Sequence, residues 1–170
     1  MRKLLSVAAL TALTGLAFAL APVASANAAT FNGTCELSGT AGLNPPIGLT
    51  PISSSFSFNG SGTCAGVDGT TPYAGPATAS ASGSGSLSCI ASTGSGSGTL
   101  TLGNGDSVSF NLTLVGKATE VDLVLTGKTS GAGYAHASFA TNASALSGCQ
   151  SSSVSSLSFV VAATAVDLSG

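Results

Sequence analysis

His136 is the only imidazole in the chain, so any histidine-based acid–base chemistry must run through it. It stands in Tyr134-Ala135-His136-Ala137-Ser138, where small apolar and polar residues alternate, so a strand carries it. A serine hydrolase of the nucleophile-elbow type needs one serine presented on a sharp strand-to-helix turn. No Gly-x-Ser-x-Gly motif leading into a helix occurs here, and the serines are too many for one to stand apart. His136 therefore reads as a surface or barrel-rim residue. Glu120 and Asp122 are the next possibility. They share parity on one strand and point to the same side, an arrangement that could divide acid and base roles in a hydrolase or hold a calcium ion. Val121 and Leu123 occupy the opposite parity, which makes the carboxylates the solvated face of that strand, with Lys117 and Lys128 near enough across the hairpins to pair with them. The glycine-rich run Ser92 to Gly98 is no phosphate loop, because no lysine closes it and no helix follows. Asn-x-Ser/Thr triplets begin at Asn32, Asn59, Asn111 and Asn142, a frequency that so much Ser and Thr produces by chance.

Cys35, Cys64, Cys89 and Cys149 complete the reactive groups. Zinc sites use closely spaced Cys or His pairs, whereas these cysteines are 29, 25 and 60 residues apart. An even count in an exported chain points instead to two disulfides. Three pairings are open. Cys35 and Cys64 end similar phrases, Phe31-Asn32-Gly33-Thr34-Cys35 and Phe58-Asn59-Gly60-Ser61-Gly62-Thr63-Cys64, which inclines the reading to Cys35–Cys64 with Cys89–Cys149. Each bridge would contribute roughly 3–4 kcal/mol by restricting the unfolded chain.

Export itself is read from residues 1–28. Arg2 and Lys3 are followed by an apolar run from Leu4 to Leu20, Pro22 ends it, and Ala26-Asn27-Ala28 supplies the small-x-small pattern of a signal-peptidase site. Cleavage after Ala28, or after Ala26 as the neighbouring alternative, would release one secreted β-domain over 29–170. No cysteine follows the cut closely enough for a lipid anchor, and the apolar run Leu157 to Val166 is too short to span a bilayer as a helix. The Ala-rich leader has the style of a high-GC bacterium.

The 29–170 segment holds 22 Gly, 27 Ser and 17 Thr. Two lysines face six carboxylates there, for a net charge of −4 and no arginine. Without a basic patch, nucleic acid is not a natural partner. Low charge with substantial apolar content also argues against disorder.

Period-two alternation runs through the segment, with no helical period. Strands are expected around Phe31–Gly39, Phe56–Cys64, Ala77–Ala91, Gly94–Leu102, Val108–Leu114, Val121–Leu125, Tyr134–Thr141 and Leu157–Ala163. Gly103-Asn104-Gly105-Asp106 is a strong hairpin signal, and the turns at Gly116 to Thr119 and Gly127 to Gly131 are equally short. Leu43–Pro51 and Gly66–Pro76 read as long loops because of their prolines, and Asn142–Ser153 as a third loop carrying Cys149. The fold class is thus all-β: an antiparallel meander of about eight strands closed as an up-and-down barrel, with a two-sheet β-sandwich as the alternative. Closure would bend the Ala77–Ala91 segment at Gly83 or Gly85. A membrane-spanning barrel fits poorly, with no Trp and only Tyr73 and Tyr134 to build aromatic girdles. Stable membrane insertion is not expected.

Between Ala77 and Gly98 only Leu87 and Ile90 are large. Either another layer closes tightly on these strands or a hollow remains. In composition the domain resembles the carrier proteins of enediyne antibiotics, a likeness of Gly, Ser, Thr, Ala and Val content that matches no motif and carries no residue over. The leading function is a secreted, non-enzymatic structural or interaction module, with an extracellular protein or cell surface as its partner and no cofactor. The alternative is a secreted carrier of a small apolar ligand. A filled core would favour the module, and an apolar cavity above about 300 Å³ the carrier.

Overall fold

In a computed structural model of the chain, the described residues are 29–117, 120–139, 149 and 153–170. The expected signal over 1–28 and most of the loop around Cys149 lie outside them. Eight strands follow in order: β1 (Thr30–Ile47), β2 (Ile52–Asp68), β3 (Thr71–Leu87), β4 (Ala91–Leu102), β5 (Ser107–Lys117), β6 (Glu120–Gly127), β7 (Ser130–Phe139) and β8 (Val154–Ser169). Each pairs antiparallel with the next, and β8 returns to β1, with Leu37 opposite Val161, so the sheet is a closed up-and-down barrel. Closure leaves no edge among these strands and removes the sandwich alternative.

Alternation explains the wall. On β5, Val108, Phe110, Leu112 and Leu114 are buried, while Asn111 and Thr113 between them are exposed. On β3 and β4 the exposed parity is Thr78, Ser80, Ser82, Ser84 and then Ser95, Ser97. One face therefore builds a core and the other a hydroxyl-covered exterior.

Two of the expected proline loops are strand instead. β2 runs on to Asp68, turns through Gly69 (φ +60°) and Thr70, and returns at once as β3, with Val67 opposite Pro72 and Thr63 opposite Pro76. The β3–β4 ladder begins only at Ala77 opposite Leu102, so both prolines sit where β3 is paired on one side. A residue without an N–H costs no ladder bond on an unpaired side. β1 likewise continues through Pro45 and Pro46 to Ile47, beyond the last β2 partner, Asn44, and inside a register shift against β8. The true loop there is residues 48–51. The Ala77–Ala91 segment also ends early. β3 stops at Leu87, and Leu87, Ser88 and Cys89 are all buried, which breaks the alternation at a tight turn.

One end of the barrel is plugged by Phe31, Leu102, Val108 and Leu168, all essentially inaccessible to water. Outside this plug, the Asn104 side-chain amide donates to Asp68 (2.9 Å) and to Asp106 (2.8 Å), tying the β2–β3 turn to the β4–β5 turn. The Asp68 carboxylate beside Asp106 raises the Asp106 pKa above its ordinary 3.8, by sharing a proton and by like-charge repulsion, while Asn104 acts in the opposite direction. A carboxyl with a raised pKa favours the fold when protonated and loses that contribution as pH climbs past its unfolded value through its folded one. Asp106→Asn imitates the protonated form at every pH. Urea titrations should therefore show the variant gaining on the wild type between pH 3 and pH 7; a constant difference would mean that the two carboxylates do not interact.

Candidate functional site

The interior is the one place where side chains from all eight strands converge. It owes its shape to glycines on the inward parity. Gly33 faces Gly66, Gly39 faces Gly60, Gly83 faces Gly96 and Gly85 faces Gly94 across their ladders. A Cβ at Gly83 would stand 2.7 Å from the Gly96 Cα, and one at Gly66 would stand 2.6 Å from the Gly33 Cα. At these points the wall curves so sharply that no inward side chain fits. Phenylalanines from neighbouring strands cover the bare backbone. Phe56 lies directly opposite Gly83 and Phe110 directly opposite Gly98, each with its ring tip where a glycine Cβ would be. This is aromatic rescue of sheet glycines.

The rings do not fill the space. Phe58 and Phe159 stack with centroids 4.5 Å apart, and Phe139 meets Phe159 edge-on at 6.3 Å. Alongside them runs a cavity of about 210 Å³. It extends from Phe31 and Leu168 at the plugged end to Ile47, Leu87 and the Cys89–Cys149 bridge at the other. Leucines of β5 and β6 and alanines of β3, β7 and β8 line the middle. The small-residue strands thus do leave a hollow, as one branch of the sequence reading held.

Both disulfides are formed as paired above, and both belong to this interior. Cys35 and Cys64 are ladder partners on β1 and β2, with buried side chains. Cys89, in the β3–β4 turn, reaches Cys149 across 60 residues of sequence. Their backbone positions explain why the pairing is unique. Cys35 and Cys64 stand 4.1 Å apart at Cα as direct cross-strand neighbours.

The residues singled out for acid–base chemistry lie on the other side of the wall. Asp122, on the outside of β6, accepts hydrogen bonds from the Tyr134 hydroxyl and from His136 Nδ1 (2.8 Å), both on β7. His136 and Asp122 are 39% and 43% exposed, so the trio sits on an open surface, not in a cleft. The neighbouring Asp122 carboxylate holds the Tyr134 phenol above its usual pKa. Glu120 is exposed on the same face, while Val121 and Leu123, of opposite parity, line the cavity. Sequence parity placed the two carboxylates together correctly. It did not find the contacts of Asp122 with Tyr134 and His136, because they depend on the β6–β7 register, with Asp122 opposite His136 and Val124 opposite Tyr134. Among the described residues, no cluster of His, Cys, Asp and Glu could hold a metal ion. Comparison with known protein families, with curated proteins and with solved structures finds no match.

Proposed function

We propose that the barrel is a carrier that holds a small apolar molecule inside it, the second of the two functions the sequence left open. The cavity carries this reading. Well-packed cores leave few voids larger than a water molecule. This one, at about 210 Å³, exceeds the roughly 150 Å³ of an apolar cavity that stays dry and takes up benzene. It falls short of the roughly 300 Å³ set above for a carrier, the size of pockets that accept drug-sized ligands, so the proposal is confined to a correspondingly small occupant. Two disulfides suit an oxidising, extracellular compartment. With residues 1–28 taken as a bacterial export signal, the carrier works outside the cell. The interaction-module reading keeps one observation in its favour, a trough on the outer wall lined by hydroxyls such as Ser38, Thr40, Thr78 and Thr99. Polar side chains with neither charge nor an aromatic platform give a partner little to grip, which places the cavity first. Neither reading requires the barrel to be an enzyme.

Binding should be visible as stabilisation. Benzene at ten times its dissociation constant is expected to add about 1.4 kcal/mol and raise the unfolding midpoint by several degrees. Ala137→Leu, which pushes a larger side chain into the cavity from β7, should abolish the shift. His136→Ala, on the outer face, should leave it intact. A wild-type midpoint that ignores benzene would remove the carrier reading, and a shift that survives Ala137→Leu would place the binding elsewhere.

A further inference from the structure

Resting on the carrier reading, we infer that the occupant is a neutral hydrocarbon of about eight non-hydrogen atoms, with no hydroxyl or charged head group buried beside it. The size follows from volume. If six carbons of benzene occupy a cavity of roughly 150 Å³, about 210 Å³ takes roughly eight. The chemistry follows from the lining. No Asp, Glu, Lys or His of the described chain faces the cavity. Among the described residues its only polar side chains are Ser88 and Ser92, and the β3–β4 turn already uses both. Ser88 Oγ donates to the Ala91 carbonyl (2.6 Å) and accepts from the Ala91 amide (3.0 Å). Ser92 Oγ donates to the Ser88 carbonyl (2.9 Å) and accepts from the Ser88 amide (3.1 Å). Each hydroxyl has one proton, and each proton is spent. No buried side-chain nitrogen or oxygen among the described residues lacks a partner, so none waits for a ligand to satisfy it. A ligand hydroxyl taken inside would give up water for at most one bond, donated to the second lone pair of Ser92 Oγ, since Ser88 Oγ already accepts from the Ala91 and Ile90 amides. A carboxylate, which can only accept, would find no free side-chain donor among the described residues and would lose far more. The two serines shape the turn that carries Cys89; they are not a recognition element.

Four probes test this on the disulfide-intact protein by calorimetric titration: n-octane, 1-octanol, octanoate and n-hexadecane. Octane should bind, 1-octanol more than about tenfold more weakly, and octanoate and hexadecane not measurably. Octanol or octanoate binding as tightly as octane would overturn the ligand class while leaving the carrier reading in place, because it would reveal a polar group that meets the ligand. Hexadecane binding would overturn the size limit. If none of the four binds, and benzene does not either, the carrier reading itself fails. Ala137→Leu should weaken octane binding at least as strongly as it weakens benzene, and an unchanged octane affinity would move the site out of the cavity.

Discussion

Serine in place of both Cys89 and Cys149 is expected to lower the thermal midpoint by roughly 10–15 °C. The bridge spans 60 residues, and a loop of that size removes about 4 kcal/mol worth of freedom from the unfolded chain. For a domain of this length, each kcal/mol moves the midpoint by roughly 3–4 °C. A total stability of about 5–15 kcal/mol makes such a loss a large share of the whole. The same bridge lines the cavity next to Leu87 and Ile47, and Cys89 is anchored there by its amide, which donates to the Gly48 carbonyl at 2.9 Å. Unlinking it should therefore loosen ligand retention as well as stability. The measurements are differential scanning calorimetry and the octane dissociation rate. A midpoint within 2–3 °C of the wild type would show that the ladders alone hold this end of the barrel. Limited proteolysis gives a second view. The 29–170 segment offers trypsin only Lys117 and Lys128, so a broad-specificity protease should distinguish the oxidised barrel from the unlinked one.

The all-β class, the strand number and the three hairpins from β4 to β7 were legible in the sequence for a local reason. Alternation along one strand and a turn pair such as Asn104-Gly105, where Gly105 has φ +97°, are both set within a few residues. The disulfide pairing was legible because Cys35 and Cys64 sit at matching places in repeated phrases, which the β1–β2 ladder brings face to face. The proline segments were misread for a non-local reason. Whether Pro72 and Pro76 cost anything depends on which side of β3 is paired, and that is fixed by where β4 ends, at Leu102 opposite Ala77. The cavity lay at the limit of what residues alone reveal. The smallness of Ala77 to Gly98 announced either a close layer or a hollow, and the structure contains both. Phe56 and Phe110 close over glycines of β3 and β4, and the space beside the rings remains open. Choosing between these outcomes required knowing which phenylalanine stands opposite which glycine, a matter of register across strands and not of composition.

That register makes Gly83 one of the wall positions that cannot accept a side chain without disturbing the fold. Gly83→Val is expected to destabilise the barrel by about 3 kcal/mol or more, at or beyond the upper end of overpacking costs. The backbone conformation is not the obstacle, since the positive-φ glycines are Gly69, Gly105 and Gly131. The obstacle is steric and comes from two sides. A Cβ at 83 would stand 2.5 Å from Phe56 Cζ and 2.7 Å from the Gly96 Cα, with the Ser95 carbonyl closer still. The ring could swing into the cavity, but the β4 backbone can retreat only by breaking ladder bonds. Pairing the change with Phe56→Ala should therefore recover only part of the loss, and full recovery would assign the whole conflict to the ring. Gly48→Ala is the matched control. Nothing lies within 4 Å of a Cβ there, so the substitution should be neutral or stabilise by up to about 1 kcal/mol through the unfolded chain. Urea midpoints of the wild type and these three variants decide the matter. If Gly83→Val unfolds beside the wild type, the inward curvature at the Gly83–Gly96 pair is wrong, and with it the account of how a barrel wall of such small residues closes around a cavity.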